Sequence, residues 1–240
     1  MLPKVLIGIL IIGAVIFFGS GFLQHKDEIL QNIKPKGNTP LQAVGRPACP
    51  DPLILQTPVD LDKVTAILYP GQERSGEFKP HGGFRFDNSK NAEISVKAPM
   101  DAYITDATRY IEAGEVQYMF FFHHDCGIMY RFDHIMELPP KLAGIVEKLP
   151  EAKENDSRTT RINENIKVEA GEVIAQAVGF KSGNVFVDFG VYDLRGKVVT
   201  SPWDHAVCWF DLLPKEDAQK VRSLPPGDLK SGSQSTLCKP

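Results

Sequence analysis

From Leu61 to Tyr192 the chain runs in short stretches where apolar and polar residues alternate, broken by Gly, Pro, Asn and Asp: FRFD, EISVKAP, AYITDATRYI, EVQYMFFF, GIMYRFDHI, IKVEAGEVIAQAVGF and NVFVDFGVYD. A period of two sends successive side chains to opposite faces of a sheet, so the pattern predicts a mainly β, antiparallel domain. Glu112-Ala113-Gly114-Glu115 and His124-Asp125-Cys126-Gly127 read as hairpin loops, because glycine supplies the positive φ at each reversal. Two segments break the rhythm. LPPKLAGIVEKLP, residues 138–150, opens with prolines and carries Leu142, Ile145, Val146 and Leu149 at helical spacing, and PKEDAQKVRSL near the C-terminus reads as a second helix.

The N-terminus is of another kind. VLIGILIIGAVIFFGSGFL, residues 5–23, holds no charged residue and is about 28 Å long as a helix, which is enough to span a bilayer. Lys4 before it and Lys26, Asp27 and Glu28 after it predict a single-pass cell-membrane protein with a cytoplasmic N-terminus and an extracytoplasmic bulk. Gly19-Ser20-Gly21 also suits a cleavage site, in which case the product is secreted. Residues 24–60, with six prolines among polar residues, read as a stalk. The expected organisation is therefore an anchor or signal peptide over 1–23, a stalk over 24–60, a β domain over 61–200 and a C-terminal extension over 201–240.

Four cysteines, none in a C-x-x-C pair, argue against a zinc ribbon or a thioredoxin-type centre and allow three disulfide pairings. The expected one joins Cys208 to Cys238, pinning the tail, and Cys49 to Cys126, tying the stalk to the domain. A net charge of -3 without a basic run makes nucleic acid a poor partner. There is no G-x-S-x-G and no phosphate-binding loop.

Within 65–195 the order of features resembles the lysostaphin-type zinc endopeptidases, whose duplicated-hybrid-motif fold is akin to barrel-sandwich hybrid domains. The resemblance is carried by His81-Gly82-Gly83-Phe84-Arg85, Val96-Lys97-Ala98-Pro99, Phe132-Asp133-His134-Ile135, Val168-Glu169-Ala170-Gly171-Glu172-Val173-Ile174 and Phe186-Val187-Asp188. It implies that His81 holds a ligand position, that Arg85 stands where the family has an Asp ligand, that Asp188 stands where it has a His ligand, and that Phe186 replaces an assisting His. His134, the surviving assisting histidine, is the one candidate catalytic residue. Relative to the family, residues 137–166 are an insertion, whose loop carries the sequon Asn155-Asp156-Ser157, a glycan acceptor in a secreted chain.

An arginine about 4 Å from Zn²⁺ costs on the order of 8 kcal/mol at an effective dielectric near 20, most of the about 10–16 kcal/mol with which structural zinc binds. The expected site is then free of cofactor, with Arg85 paired to Asp188 and a groove formed by His81, Arg85, Asp87, His134 and Asp188. This reading makes the protein a membrane-anchored, non-catalytic binder of a cell-envelope polymer or a protein partner. The alternative is a zinc-dependent endopeptidase or other hydrolase acting on the cell envelope, with rearranged ligands His81, His134 and Asp188, or with Asp87 serving in place of Arg85.

Overall fold

A computed structural model describes residues 47–227 and 234–238. Its strands are β1 Ala66–Leu68, β2 Gln72–Arg74, β3 Glu77–Lys79, β4 Gly82–Arg85, β5 Val96–Lys97, β6 Ala102–Glu112, β7 Glu115–His123, β8 Ile128–Glu137, β9 Thr160–Arg161, β10 Lys167–Val168, β11 Val173–Ala175, β12 Ala177–Val178 and β13 Phe186–Asp193. Helix α1, Pro140–Val146, and helix α2, Lys215–Ser223, fall where the spacing predicts helices.

Nine strands make one antiparallel sheet in the order β1-β4-β13-β8-β7-β6-β10, with β12 added to β8 and β9 to β6; β5–β11 and β2–β3 form separate pairs. The two predicted hairpins are present. Ala113 and Gly114 both have positive φ between β6 and β7, and Gly127 does so between β7 and β8.

Alternation along the long strands sorts the side chains. Val187, Phe189 and Val191 of β13, Tyr130 and Phe132 of β8, and Phe120 and Phe122 of β7 enter the main core with Phe84 and Trp209. The opposite face carries Asp188, Gly190 and Tyr192 of β13 and Met129, Arg131 and Asp133 of β8. There Tyr110, Met119, Phe121, Met129, Tyr192 and Leu194 form a smaller apolar cluster. The site described below lies on this second face.

Several expectations change. The sheet is not a closed barrel, because its end strands β1 and β10 are not paired with each other. The β1 edge is covered instead by the chain leaving α2: Ile67 donates its N–H to the Pro225 carbonyl and accepts from the N–H of Gly227. A covered edge offers no free ladder to close or to aggregate through. The transmembrane helix expected over 5–23 falls outside the described residues, and among those described no helix is long and apolar enough to cross a membrane. What the structure supports is a mainly β domain with two short helices. The single-pass topology, the membrane as a partner and the cell-membrane location are withdrawn.

Residues 47–60, read as the end of the stalk, pack on the domain. Leu55 is fully buried, and its N–H donates to the Leu212 carbonyl. Disulfides join Cys49 to Cys126 and Cys208 to Cys238.

Candidate metal centre

In the register of the sheet Asp188 stands between Gly83 of β4 and Asp133 of β8. Two carboxylates facing one another on adjacent strands repel, so their neighbours must supply positive charge or hydrogen bonds. His81, just before β4, gives Asp188 its nearest partner, with Nε2 2.9 Å from Oδ2. Arg131, two residues before Asp133 on the same face, places Nη2 2.8 Å from Asp133 Oδ2 and 3.9 Å from Asp188 Oδ2. Two glycines make this approach possible. A Cβ at Gly83 would stand 3.2 Å from Asp188 Oδ1, and one at Gly190 would stand 2.9 Å from the Cβ of His81.

His134 joins the site through a break in the strand. Strict alternation would turn it toward the core with Phe132. The pairing of β7 with β8 instead shifts between Tyr118↔Ile135 and Phe120↔Phe132, so that Asp133 and His134 together oppose Met119. His134 takes φ 61°, and its N–H donates to Asp133 Oδ1 at 2.8 Å. This β-bulge lets two consecutive residues face the same cleft and returns Ile135 to the core. The His134 imidazole rests against the Phe186 ring, centroids 4.4 Å apart, and its Nε2 is 3.9 Å from Asp188 Oδ2.

Ligand atoms of Asp133, His134 and Asp188 all lie within 4.8 Å of one another, and all three residues are buried. A group of two carboxylates and an imidazole at this spacing can chelate a divalent ion. It forms the floor of a cleft of about 850 Å³ whose walls include Arg74, Lys79, Arg85, Glu112, Asn155 and Phe186.

The electrostatics favour a neutral imidazole beside an ionised carboxylate. Burial, reinforced by the charge of Arg131, lowers the pKa of His81 to about 4, although Asp188 pulls the other way. Burial works against the Asp188 carboxylate, yet His81, His134 and Arg131 together hold its pKa below the usual carboxylate range. Burial and the adjacent Asp133 push the Tyr110 hydroxyl well above its ordinary pKa, so it stays protonated and donates a hydrogen bond to Asp133 Oδ1 at 2.7 Å. The Nδ1 atoms of His81 and His134 are both buried without a hydrogen-bond partner.

The residues expected from the sequence do not all meet here. His81, His134 and Asp188 converge, and Arg85 lines the cleft. Arg85 does not pair with Asp188. Its Nη2 donates to Asp87 Oδ1 at 2.9 Å, and Asp87 also accepts from the Thr65 hydroxyl at 2.7 Å, an exposed arrangement away from the cleft floor. The reason is the register: Arg85 lies opposite Phe186, two residues from the position opposite Asp188. The guanidinium near the carboxylates is Arg131, and it is balanced by Asp133. The repulsion expected to expel a metal therefore does not arise from Arg85, and the non-catalytic reading that rested on it is withdrawn, together with membrane anchoring, since no helix among the described residues is long and apolar enough to cross a membrane. Arg131, Asp133 and Tyr110 were missed as site residues. Asp133 stands in the same motif as His134, but nothing in the letters marks the bulge that turns both inward. Asn155 is exposed beside the cleft, its N–H bonded to the Ile111 carbonyl. Neither a family model nor a curated protein sequence matches the chain.

Proposed function

We propose that the protein is a divalent-metal hydrolase of the zinc class, its ion held by His134 and Asp188 with His81 as the third ligand. The observation that carries this reading is that Asp188 Oδ2 lies between two imidazole Nε2 atoms, 2.9 Å from His81 and 3.9 Å from His134, on the floor of an open cleft. Two histidines and one carboxylate are a donor set that leaves a metal position open to water and substrate. Bound there, zinc would supply Lewis-acid polarisation and water activation.

The chain's own groups suit that role. His81 is neutral at pH 7, and while its Nε2–H donates to Asp188 its lone pair lies on the unpartnered Nδ1, so offering Nε2 to a metal would take the shift of that proton to Nδ1 as the contact with Asp188 opens. Arg74 fixes the backbone from which His81 projects, donating to the His81 carbonyl at 3.2 Å and to the Tyr69 carbonyl at 3.0 Å. Glu112 Oε2 faces His134 Nδ1 at 4.0 Å and is the carboxylate placed to orient that ring. The resemblance to lysostaphin-type peptidases in the motifs around His81, His134 and Asp188 makes a peptide-type amide the substrate class of choice.

Protein stripped with chelator and reloaded with zinc tests the proposal. One tightly held zinc per chain, lost in Asp188→Ala and in His81→Ala, with zinc-dependent cleavage of a fluorogenic peptide library, is the expected result. Failure to retain zinc would overturn it.

A further inference from the structure

The metal reading leaves one buried cation unused. The Arg131 side chain is buried, lies 5.9 Å from the ring centroids of both Phe121 and Trp203, and keeps its Nε without a hydrogen-bond partner. We propose that Arg131 is an internal counter-cation that keeps Asp133 out of the metal's ligand set, so that the centre has three protein ligands and an open position. This rests on the hydrolase reading above and adds to it the control of coordination number.

The two carboxylates of the cluster are not equivalent. Asp133 has a donor on each oxygen: Arg131 on Oδ2 at 2.8 Å, and both the Tyr110 hydroxyl and the His134 N–H on Oδ1, at 2.7 and 2.8 Å. Asp188 has His81 on Oδ2, and Arg131 stands 3.9 Å from that same atom. A guanidinium never loses its charge in a protein, so the Arg131–Asp133 pair stays neutral as a unit and the carboxylate is engaged. Without Arg131, Asp133 would be released to join His134 and Asp188, whose ligand atoms lie within 4.8 Å of its own, as a further ligand beside His81. Four protein ligands describe a closed structural zinc site, whereas three describe a reactive one. Arg131 is thus a positioning residue that acts through Asp133.

Zinc affinity measured by competition with a chromophoric chelator tests this. Arg131→Met keeps a long apolar side chain against Phe121 and Trp203 and removes the charge, and it is expected to bind zinc about tenfold tighter or more. Arg131→Lys, which keeps the charge, should stay near wild type, and Arg131→Met combined with Asp133→Asn should lose the gain. A merely structural arginine would show only weaker binding on replacement. If Arg131→Met does not fold, Arg131→Gln takes its place, with thermal melting confirming the fold. A folded neutral variant that binds zinc no tighter than wild type overturns the proposal. Uptake by Arg131→Met where wild type takes up none would overturn the hydrolase reading and with it the open three-ligand centre, whereas zinc held by wild type and held no tighter by the folded neutral variant would overturn this inference alone; no uptake by either protein sinks both.

Discussion

His81 Nε2 lies 2.9 Å from Asp188 Oδ2, although His81 precedes its strand and Asp188 sits near the start of another more than a hundred residues later. The burial of His81 at this contact ties the fold to pH. His81 titrates at 6.5 in an unfolded chain and at about 4 in the folded one, chiefly through burial and then through Arg131. Between these values the unfolded chain takes up a proton that the folded chain refuses, so stability falls as pH drops from about 6.5 to about 4, by about 3 kcal/mol. Asp188, whose folded pKa is depressed, stabilises the fold above its unfolded pKa, and that contribution is lost as pH falls further. Urea unfolding of metal-free protein across pH 4–8 should show the first loss in wild type and not in His81→Ala. An identical slope in both would refute it.

The bulge makes a second prediction. A non-glycine residue in the left-handed region costs about 1–2 kcal/mol, and His134 bears that cost at φ 61°. His134→Gly should therefore be more stable than His134→Ala by about 1 kcal/mol, although both lose the imidazole. Chemical denaturation of the two variants side by side decides it; equal stability would mean that the backbone at 134 is not held in that conformation.

Gly190 is a third test. A Cβ there would meet the Tyr192 hydroxyl at 2.8 Å and the His81 Cβ at 2.9 Å. Gly190→Ala should cost about 1–3 kcal/mol through overpacking and should weaken zinc binding by displacing His81. Unchanged melting and zinc affinity would show that His81 does not pack over this glycine.

The two disulfides differ in the loops they close, with sequence separations of 77 for Cys49–Cys126 and 30 for Cys208–Cys238. Chain entropy alone gives about 4–5 kcal/mol for the longer loop and about 3–4 kcal/mol for the shorter. Replacing each pair by serine and measuring unfolding free energies should preserve that order. The Cys208–Cys238 variant should also free the segment whose Thr236 N–H donates to the Gly71 carbonyl beside the β2–β3 hairpin, which hydrogen exchange at Thr236 would register.

Periodicity and punctuation made much of the architecture legible. The long strands β6, β7, β8 and β13, their hairpin turns and both helices are local features, set by alternation, glycine placement and proline, and short windows of sequence carry that information. Covering the β1 edge with residues 225–227 was not legible, because it depends on where a distant segment returns. The packing of Leu55 against the domain was hidden too, since proline-rich composition reads the same in a free stalk and in an extended segment bound along a surface.

The candidate site divides in the same way. The resemblance of the motifs around them to lysostaphin-type peptidases is what singled out His81, His134 and Asp188, and the fold brings the three side chains to one cleft. Which charge stands beside which carboxylate was decided only in three dimensions. The β4–β13 register sets Arg85 opposite Phe186 and directs it to Asp87, while the β8–β13 register brings Arg131 and Asp133 alongside Asp188. A one-residue bulge then turns His134 to the same side. Pairing register and bulges arise from contacts between strands far apart in the chain, and a single-residue shift reverses every facing, so the electrostatic partners of a sheet-borne site belong to the tertiary structure.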